Sequence, residues 1–375
     1  MNVPKLRFKE FNDEWILKTL KESAEFIQGI NTAVDRLEYV KDGIKVLQAN
    51  NIVLGVLNND SLKYITDSEY ENIIEKYKPK FGDVLYSNIG ARMGYAVPFN
   101  IHEKVTFTWN VLRMIPNKDI NNIFLSAQLN SPQIRNKVLS NASTNTMPFI
   151  SGQDLKKIKL NFPSMTEQIK IGKTLELLDK KIELQSKKIE DLKLFKLSIK
   201  NNIFKSFDKE QRKSIEELLE FEQPTKYIVK SEEYTDNRDD IPVLTANKAF
   251  ILGYCKEGDF YNKECIIFDD FTLDMKYVNF AFKVKSSAIK ILTPKENINI
   301  KYIYEYMQFL NLHSEEHKRH YISIVQKIQI PVPIFEIQNK IATQLNCFDS
   351  KIELENNKLL KLTELKKGLM QSMFV

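Results

Sequence analysis

Residues 178–184 read LDKKIEL and residues 348–354 read FDSKIEL, the visible tip of an internal duplication. Laid over residues 328–374 without a gap, residues 158–204 match at 15 of 47 positions. The twins include Pro163/Pro333, Gln168/Gln338, Asp179/Asp349, Lys196/Lys366 and Phe204/Phe374, each 170 residues apart. Unrelated charged amphipathic helices resemble one another in composition, but they do not share a preceding proline and an ungapped register. Duplication explains both. Weaker echoes extend it: KVLQANNI (45–52) with PVLTANKA (242–249), FKEFNDE (8–14) with FKSFDKE (204–210), and RMIPNKDIN (113–121) with KILTPKENIN (290–299). No correspondence is legible between Ile52 and Val111. The order is head, arm, head, arm, with similar arms and different heads.

In the first arm Ile171, Leu175, Leu178, Ile182, Gln185, Ile189, Leu192, Lys196, Ile199 and Ile203 alternate spacings of four and three, which is a heptad seam. Both copies place polar residues at the same two seam positions, Gln185/Glu355 and Lys196/Lys366. Such residues restrict register and partner choice. Asp179/Asp349 and Glu183/Glu353 are expected on outer faces beside the seam. Ser164 to Glu167 reads as a capping box at the helix start. An arm of about 33 residues gives roughly 50 Å of helix, with a stripe too narrow to be stable alone. Its partner is either the other arm of the chain or an arm of a second chain. Tandem copies favour the first, because they are always at high effective concentration. The expected fold class is α+β: two mixed α/β heads joined by two long antiparallel coiled-coil helices in a pseudo-twofold arrangement. The expected segments are a head at 1–157, an arm at 158–207, a head at 208–327 and an arm at 328–375.

With 43% hydrophobic and 28% charged residues, the chain can bury substantial cores. It has no long apolar run of membrane-spanning length. Cys255, Cys265 and Cys347 are odd in number and lack CxxC spacing, which fits a reducing cytoplasm. The net charge of +6 is mild and permits nucleic acid without demanding it. Gly172-Lys173-Thr174 mimics the end of a P-loop, but Glu167 stands where the first glycine belongs. No other nucleotide, esterase, metalloprotease or methyltransferase motif is present, so no catalytic residue and no metal site is assigned.

The arm signature (a proline, a glutamine, hydrophobic-D-x-K-I-E-L, a closing phenylalanine) resembles that of the specificity (S, HsdS) subunits of type I restriction-modification systems. The head-arm-head-arm order and GDVLYSNIG (82–90) are similar too. The resemblance implies a non-catalytic protein that reads a split double-stranded DNA target, one half per head. It implies arms that act as a ruler and dock two methyltransferase subunits, with motor-nuclease subunits joining for cleavage. It implies no cofactor in this chain: S-adenosylmethionine, ATP and Mg belong to the partners. Recognition elements on B-DNA lie about 34 Å apart or a multiple of it, so roughly 50 Å arms have the right scale. The alternative is a coiled-coil scaffold that binds proteins through its heads.

Candidate DNA contacts follow from side-chain chemistry. Arg92 can bridge guanine and Asn88 adenine from the loop after Asp83–Tyr86, unless that loop is an ordinary hairpin. Thr144 and Asn145 lie in a polar run before the first arm. Gln48, Asn50 and Asn51 in one head correspond to Thr245, Asn247 and Lys248 in the other, which fits base reading or a shared turn. Asp269–Asp274 can accept from cytosine with Lys276 as a DNA contact beside it, or can be a solvated loop paired with Lys276. His313, His317 and His320 share a helical face with Glu316, Lys318 and Arg319. Phosphate contact through Arg319 and His320, a metal site and a solvated turn are the three readings there.

Overall fold

The computed structural model describes residues 3–53, 55–143, 148–207, 210–230, 233–246, 249–312 and 319–375. It divides into two compact units, Met1–Ser186 with Asn357–Val375, and Lys187–Asn356. Helices Met165–Ser206 and Phe335–Ser372 each give one part to each unit. At 42 and 38 residues they exceed the expected 33. Both ends of each helix are buried in head cores, which extends the helix beyond its seam. In the first unit Ile171, Leu175, Met370, Met373 and Phe374 join one cluster with head residues Trp15 and Phe124. In the second, the twins Ile341, Leu345 and Phe204 do the same with Tyr302 and Tyr306. Only half of the capping box forms. Ser164 Oγ accepts from the Glu167 amide at 3.4 Å, while the Glu167 carboxylate takes two hydrogen bonds from Arg7 at 2.8 Å.

The arms pair within the chain, antiparallel in each unit. In the first unit Ile171 shares a core with Met373, and Asp179, further along, pairs with Lys366, earlier in the second helix. In the second, Lys188 meets Glu355 at 3.0 Å and Lys196 meets Asp349 at 2.6 Å. The aspartates expected on outer faces are therefore the counter-ions of the polar seam lysines, each Asp with the other repeat's Lys. Glu183 and Glu353 are exposed, as expected.

The two ion pairs have different surroundings. Around Asp349 and Lys196 stand Lys301, Lys200 and Glu305, whose carboxylate is 1% exposed and receives Lys196 at 2.9 Å, Lys301 at 3.2 Å and Lys200 at 3.6 Å. In the first unit the corresponding residues are Ile123, Met370 and Ala127, which line a cavity of about 90 Å³ beside Asp179 and Lys366. Burial pushes the Asp179 carboxyl up, and Lys366 offsets this only in part. Burial also acts upward on Asp349, but Lys196 and Lys301 together hold it below its usual value. A depressed pKa contributes stability above the unfolded pKa that is lost as pH falls through the folded one, and a raised pKa does the reverse. Asp179→Asn is expected to leave stability unchanged or slightly raised at pH 7. Asp349→Asn should lower it by up to about 1 kcal/mol, since the carboxylate is 39% exposed and screened by solvent, and that deficit should vanish in acid below the ordinary carboxylate range. Urea unfolding of both variants at neutral and acid pH checks this.

Each head is built around a four-stranded and a three-stranded sheet. In the first unit strands Ala24–Gln28, Val111–Pro116, Asp83–Ser87 and Ala96–Phe99 lie in that spatial order, antiparallel throughout. Beside them Ile44–Leu47 pairs antiparallel with Lys63–Ile65 and parallel with Val105–Phe107. In the second unit Leu219–Glu222, Ile289–Pro294, Cys265–Asp269 and Met275–Val278 repeat the four-stranded order. Likewise Ile241–Leu244 lies antiparallel to Ile251–Cys255 and parallel to Lys283–Val284. The heads are thus not different folds. The stretch from Ile52 to Val111 has a structural counterpart whose identities have been lost, because the ladders are made by the backbone and strands buried on both faces need only apolar side chains, not particular ones.

Helix Asn122–Leu129 of the first head and helix Ile300–Leu310 of the second join their arms in one way. Asn121 caps the former by accepting from the Phe124 amide at 3.0 Å, and Asn299 caps the latter through the Tyr302 amide at 2.9 Å. The buried twins Gln168 and Gln338 accept from the Asn121 and Asn299 amides, both at 2.9 Å, and donate to Pro163 and Pro333 carbonyls. The repeated glutamine is therefore a head-to-arm joint. Gly172 sits in the helix interior, where a Cβ would lie 3.2 Å from the Phe124 amide nitrogen. The P-loop mimic is a packing position.

Candidate functional site

In the first unit, the register places the end of Ala24–Gln28, the start of Val111–Pro116, the end of Asp83–Ser87 and the start of Ala96–Phe99 at one edge. The connections leaving that edge are tied together. The Asn88 amide donates to Asn110 O at 3.4 Å, and the Thr108 amide to Leu47 O at 3.0 Å. Ile150 N donates to Asn88 O at 3.0 Å, and Gly90 N to Pro148 O at 2.8 Å. Residues 48–51, 88–94, 108–110 and 148–150 therefore converge.

The second unit repeats this junction. Asp270 N donates to Ala288 O at 3.0 Å, Lys285 N to Leu244 O at 3.1 Å and His320 N to Asp270 O at 3.0 Å. Asp270 thus occupies the place of Asn88, and His320 that of Ile150. Loops carrying most of the sequence-derived candidates lie at corresponding ends of the two heads, on backbones braced by rigid sheets.

The side chains divide into those facing solvent and those holding the loops. Arg92, Asn50 and Arg319 are exposed, and Gln48 is half-buried. Arg319 lies 5.8 Å over the ring of Phe271, which is itself 36% exposed. Asn88 is fully buried, with its amide donating to Ile150 O at 3.4 Å, so its side chain holds the loop and offers nothing to a base. His320 is buried, with its backbone bonded to Asp270. Thr245 is buried too, its amide bonded to Phe250 O at 3.0 Å. Asn51 is buried and bonded to Asn58 O and Asp60 O, so in this head its side chain holds the turn.

The acidic loop is also structural at its start. Asp269 accepts from the Phe271 and Thr272 amides, and Asp270 accepts from the Tyr321 amide at 2.8 Å. The partner of Asp270 is Lys290 at 3.3 Å, both nearly fully buried, and not Lys276. Lys276 lies half-buried along Met275–Val278 opposite Ile267. Asp274 is exposed. Thr144, Asn145, Asn247, Lys248, His313, Glu316, His317 and Lys318 lie outside the described residues. Among the described residues no acidic, cysteine or histidine group could hold a metal ion, and no helix is long and apolar enough to cross a membrane.

Residue typing missed two aromatic groups at these ends. Trp109, between Thr108 and Asn110, is 47% exposed, and the second is Phe271 beneath Arg319. The available signal was positional: a tryptophan flanked by Thr and Asn between two strands.

The family description "Type I restriction modification DNA specificity domain" matches residues 12–194 and again 207–364. The EcoR124I/EcoR124II type I restriction enzyme specificity subunit of Escherichia coli is 45% identical over 125 residues, which span 31% of this chain and 31% of that protein. A Methanocaldococcus jannaschii protein, assigned as the specificity subunit of type I restriction enzyme MjaX, is 24% identical and spans 98% of this chain and 95% of its own. The crystal structure of an M. genitalium type I restriction-modification S subunit shares the fold at TM-score 0.70 with 17% identity, covering 100% of this chain and 99% of that one. The twice-matching family description accounts for both repeats, and the chain belongs to the family of type I restriction-modification DNA specificity subunits.

Proposed function

We propose that the chain is the non-catalytic, sequence-reading subunit of a cytoplasmic type I restriction-modification complex. Residues 1–157 and 208–327 are its two target-recognition domains, each reading one half of a split site in double-stranded DNA. The helices of 158–207 and 328–375 set the gap between the halves and dock two methyltransferase subunits, with motor-nuclease subunits completing the assembly. S-adenosylmethionine, ATP and Mg act on those partners. The observation that carries this reading is the repeated junction: one backbone arrangement in both heads, presenting Gln48, Asn50 and Arg92 in one and Phe271, Asp274 and Arg319 in the other. Equal frames with unequal side chains are what two different half-sites require. A scaffold that binds only proteins would have no need for such divergence.

Exchanging residues 208–327 for the matching segment of another family member is expected to change one half of the target. Lengthening the arms is expected to change the gap alone. Methylation-site mapping of both chimaeras tests this, and a swap that altered both halves would contradict it. DNA binding by the assembled complex should weaken steeply with salt, whereas an apolar protein contact should not.

A further inference from the structure

Trp109 is the largest apolar side chain exposed at the converging loops of the first head. The chain holds two tryptophans, and the other, Trp15, is buried in the core. An indole costs little conformational entropy to hold against a ligand, having only two side-chain torsions.

The loop under Trp109 is fixed from several sides. Trp109 N donates to Ile30 O at 2.8 Å, and Val111 N closes the turn on Thr108 O at 2.9 Å. Thr108 Oγ1 donates to Asn110 Oδ1 at 2.7 Å, and the Gln28 side-chain amide donates to Trp109 O. Gly29 lies so close that a Cβ there would stand 2.2 Å from Thr108 O, so the neighbouring segment can approach only because it carries no side chain. This is a rigid mount for an exposed aromatic ring, beside the loop that carries Arg92. In the second head the corresponding connection is Lys285-Ser286-Ser287-Ala288 and has no aromatic residue. The feature thus belongs to one head, as a determinant of one half-site must.

We infer that Trp109 is a specificity-determining contact of the first head, its indole packing against the bases of the half-site that head reads. This inference rests on the proposed DNA-reading function. Rigidly held apolar rings act on DNA by wedging at a base step or by packing on bases and thymine methyls, and loss of one aromatic–base contact weakens binding by about ten- to a hundredfold.

The test uses the chain assembled with its methyltransferase subunits, carrying the wild-type residue, Trp109→Phe or Trp109→Ala. Each complex is titrated by fluorescence anisotropy against a duplex with both half-sites and a duplex with the first half scrambled. The alanine complex is expected to bind the intact duplex about ten- to a hundredfold more weakly, the phenylalanine complex within about threefold of wild type, and all three to bind the scrambled duplex alike. Alanine binding within twofold of wild type on the intact duplex overturns the inference. So does an equal loss on both duplexes. Loss of assembly with the methyltransferase, seen by size-exclusion chromatography, would instead assign the ring to a protein contact and overturns it too. If the wild-type complex itself fails to distinguish the duplexes, the DNA-reading function fails, and the inference falls with it.

Discussion

Replacing Glu305 by alanine is expected to destabilise the second unit by about 3–5 kcal/mol, the usual result of removing one member of a buried ionic group. Its carboxylate, 1% exposed, is shared by Lys196, Lys200 and Lys301. Without it Asp349 is the anion left to face Lys196 and Lys301. Burial already lowers the pKa of Lys200, with Glu305 acting against that. A unit of this size should lose roughly 6–20 °C in Tm. The first unit shows how the same position can be filled without charge, by Ile123, Ala127 and Met370. Copying that solution, as Glu305→Ala with Lys301→Ile and Lys200→Met, should recover most of the loss, because well-packed apolar groups commonly replace buried ion groups at no net cost. If Glu305→Ala unfolded within about 1 kcal/mol of wild type, the charges would be a solvated cluster and not a joint.

Phe204→Ala should cost a comparable amount, about 3–5 kcal/mol, through the cavity it leaves. The ring is 1% exposed and meets Tyr306 at 4.9 Å, Phe309 at 5.4 Å and Tyr302 at 5.8 Å between centroids. It fastens the end of the first arm helix into the second head, as its twin Phe374 packs on Phe124 at 5.4 Å in the first. Amide exchange followed by mass spectrometry should find protection lost over residues 199–206, with the first unit unchanged. Uniform loss throughout the chain would mean that the ring supports more than this joint.

The arms were the most legible part of the sequence. A heptad seam is a linear pattern, and duplication wrote it twice, so spacing alone gives Ile171, Leu175 and Phe204 the same roles as Ile341, Leu345 and Phe374, each set in its own head core. The shared topology of the heads was not legible. Between Ile52 and Val111 a run of apolar residues is enough to fill a strand buried on both faces, and loops of unequal length hide the correspondence further. The ionic group around Glu305 was hidden for another reason. Lys301 and Glu305, four apart on a helix, read as an ordinary surface pair, and only the fold brings Lys196 and Asp349 to them.

At the candidate site, polar residue type pointed to loops that converge at one end of each head, but it did not separate exposed side chains from buried ones. Asn88 and His320 lie at the loop junctions yet are buried, whereas Arg92, Asn50 and Arg319 face solvent. An asparagine that holds a loop and one that reads a base look alike in sequence. Trp109 was passed over, because polar and charged residue types alone marked a candidate in these loops.

The central claim is that the two heads read the two halves of one split DNA site. Sequencing of methylated bases, in cells carrying the methyltransferase partner with and without this chain, tests it most directly. The expected result is a bipartite methylated motif with a gap of fixed length, present only when the chain is expressed. A methylation pattern that is unchanged by the chain, or that lacks a two-part motif, would contradict it.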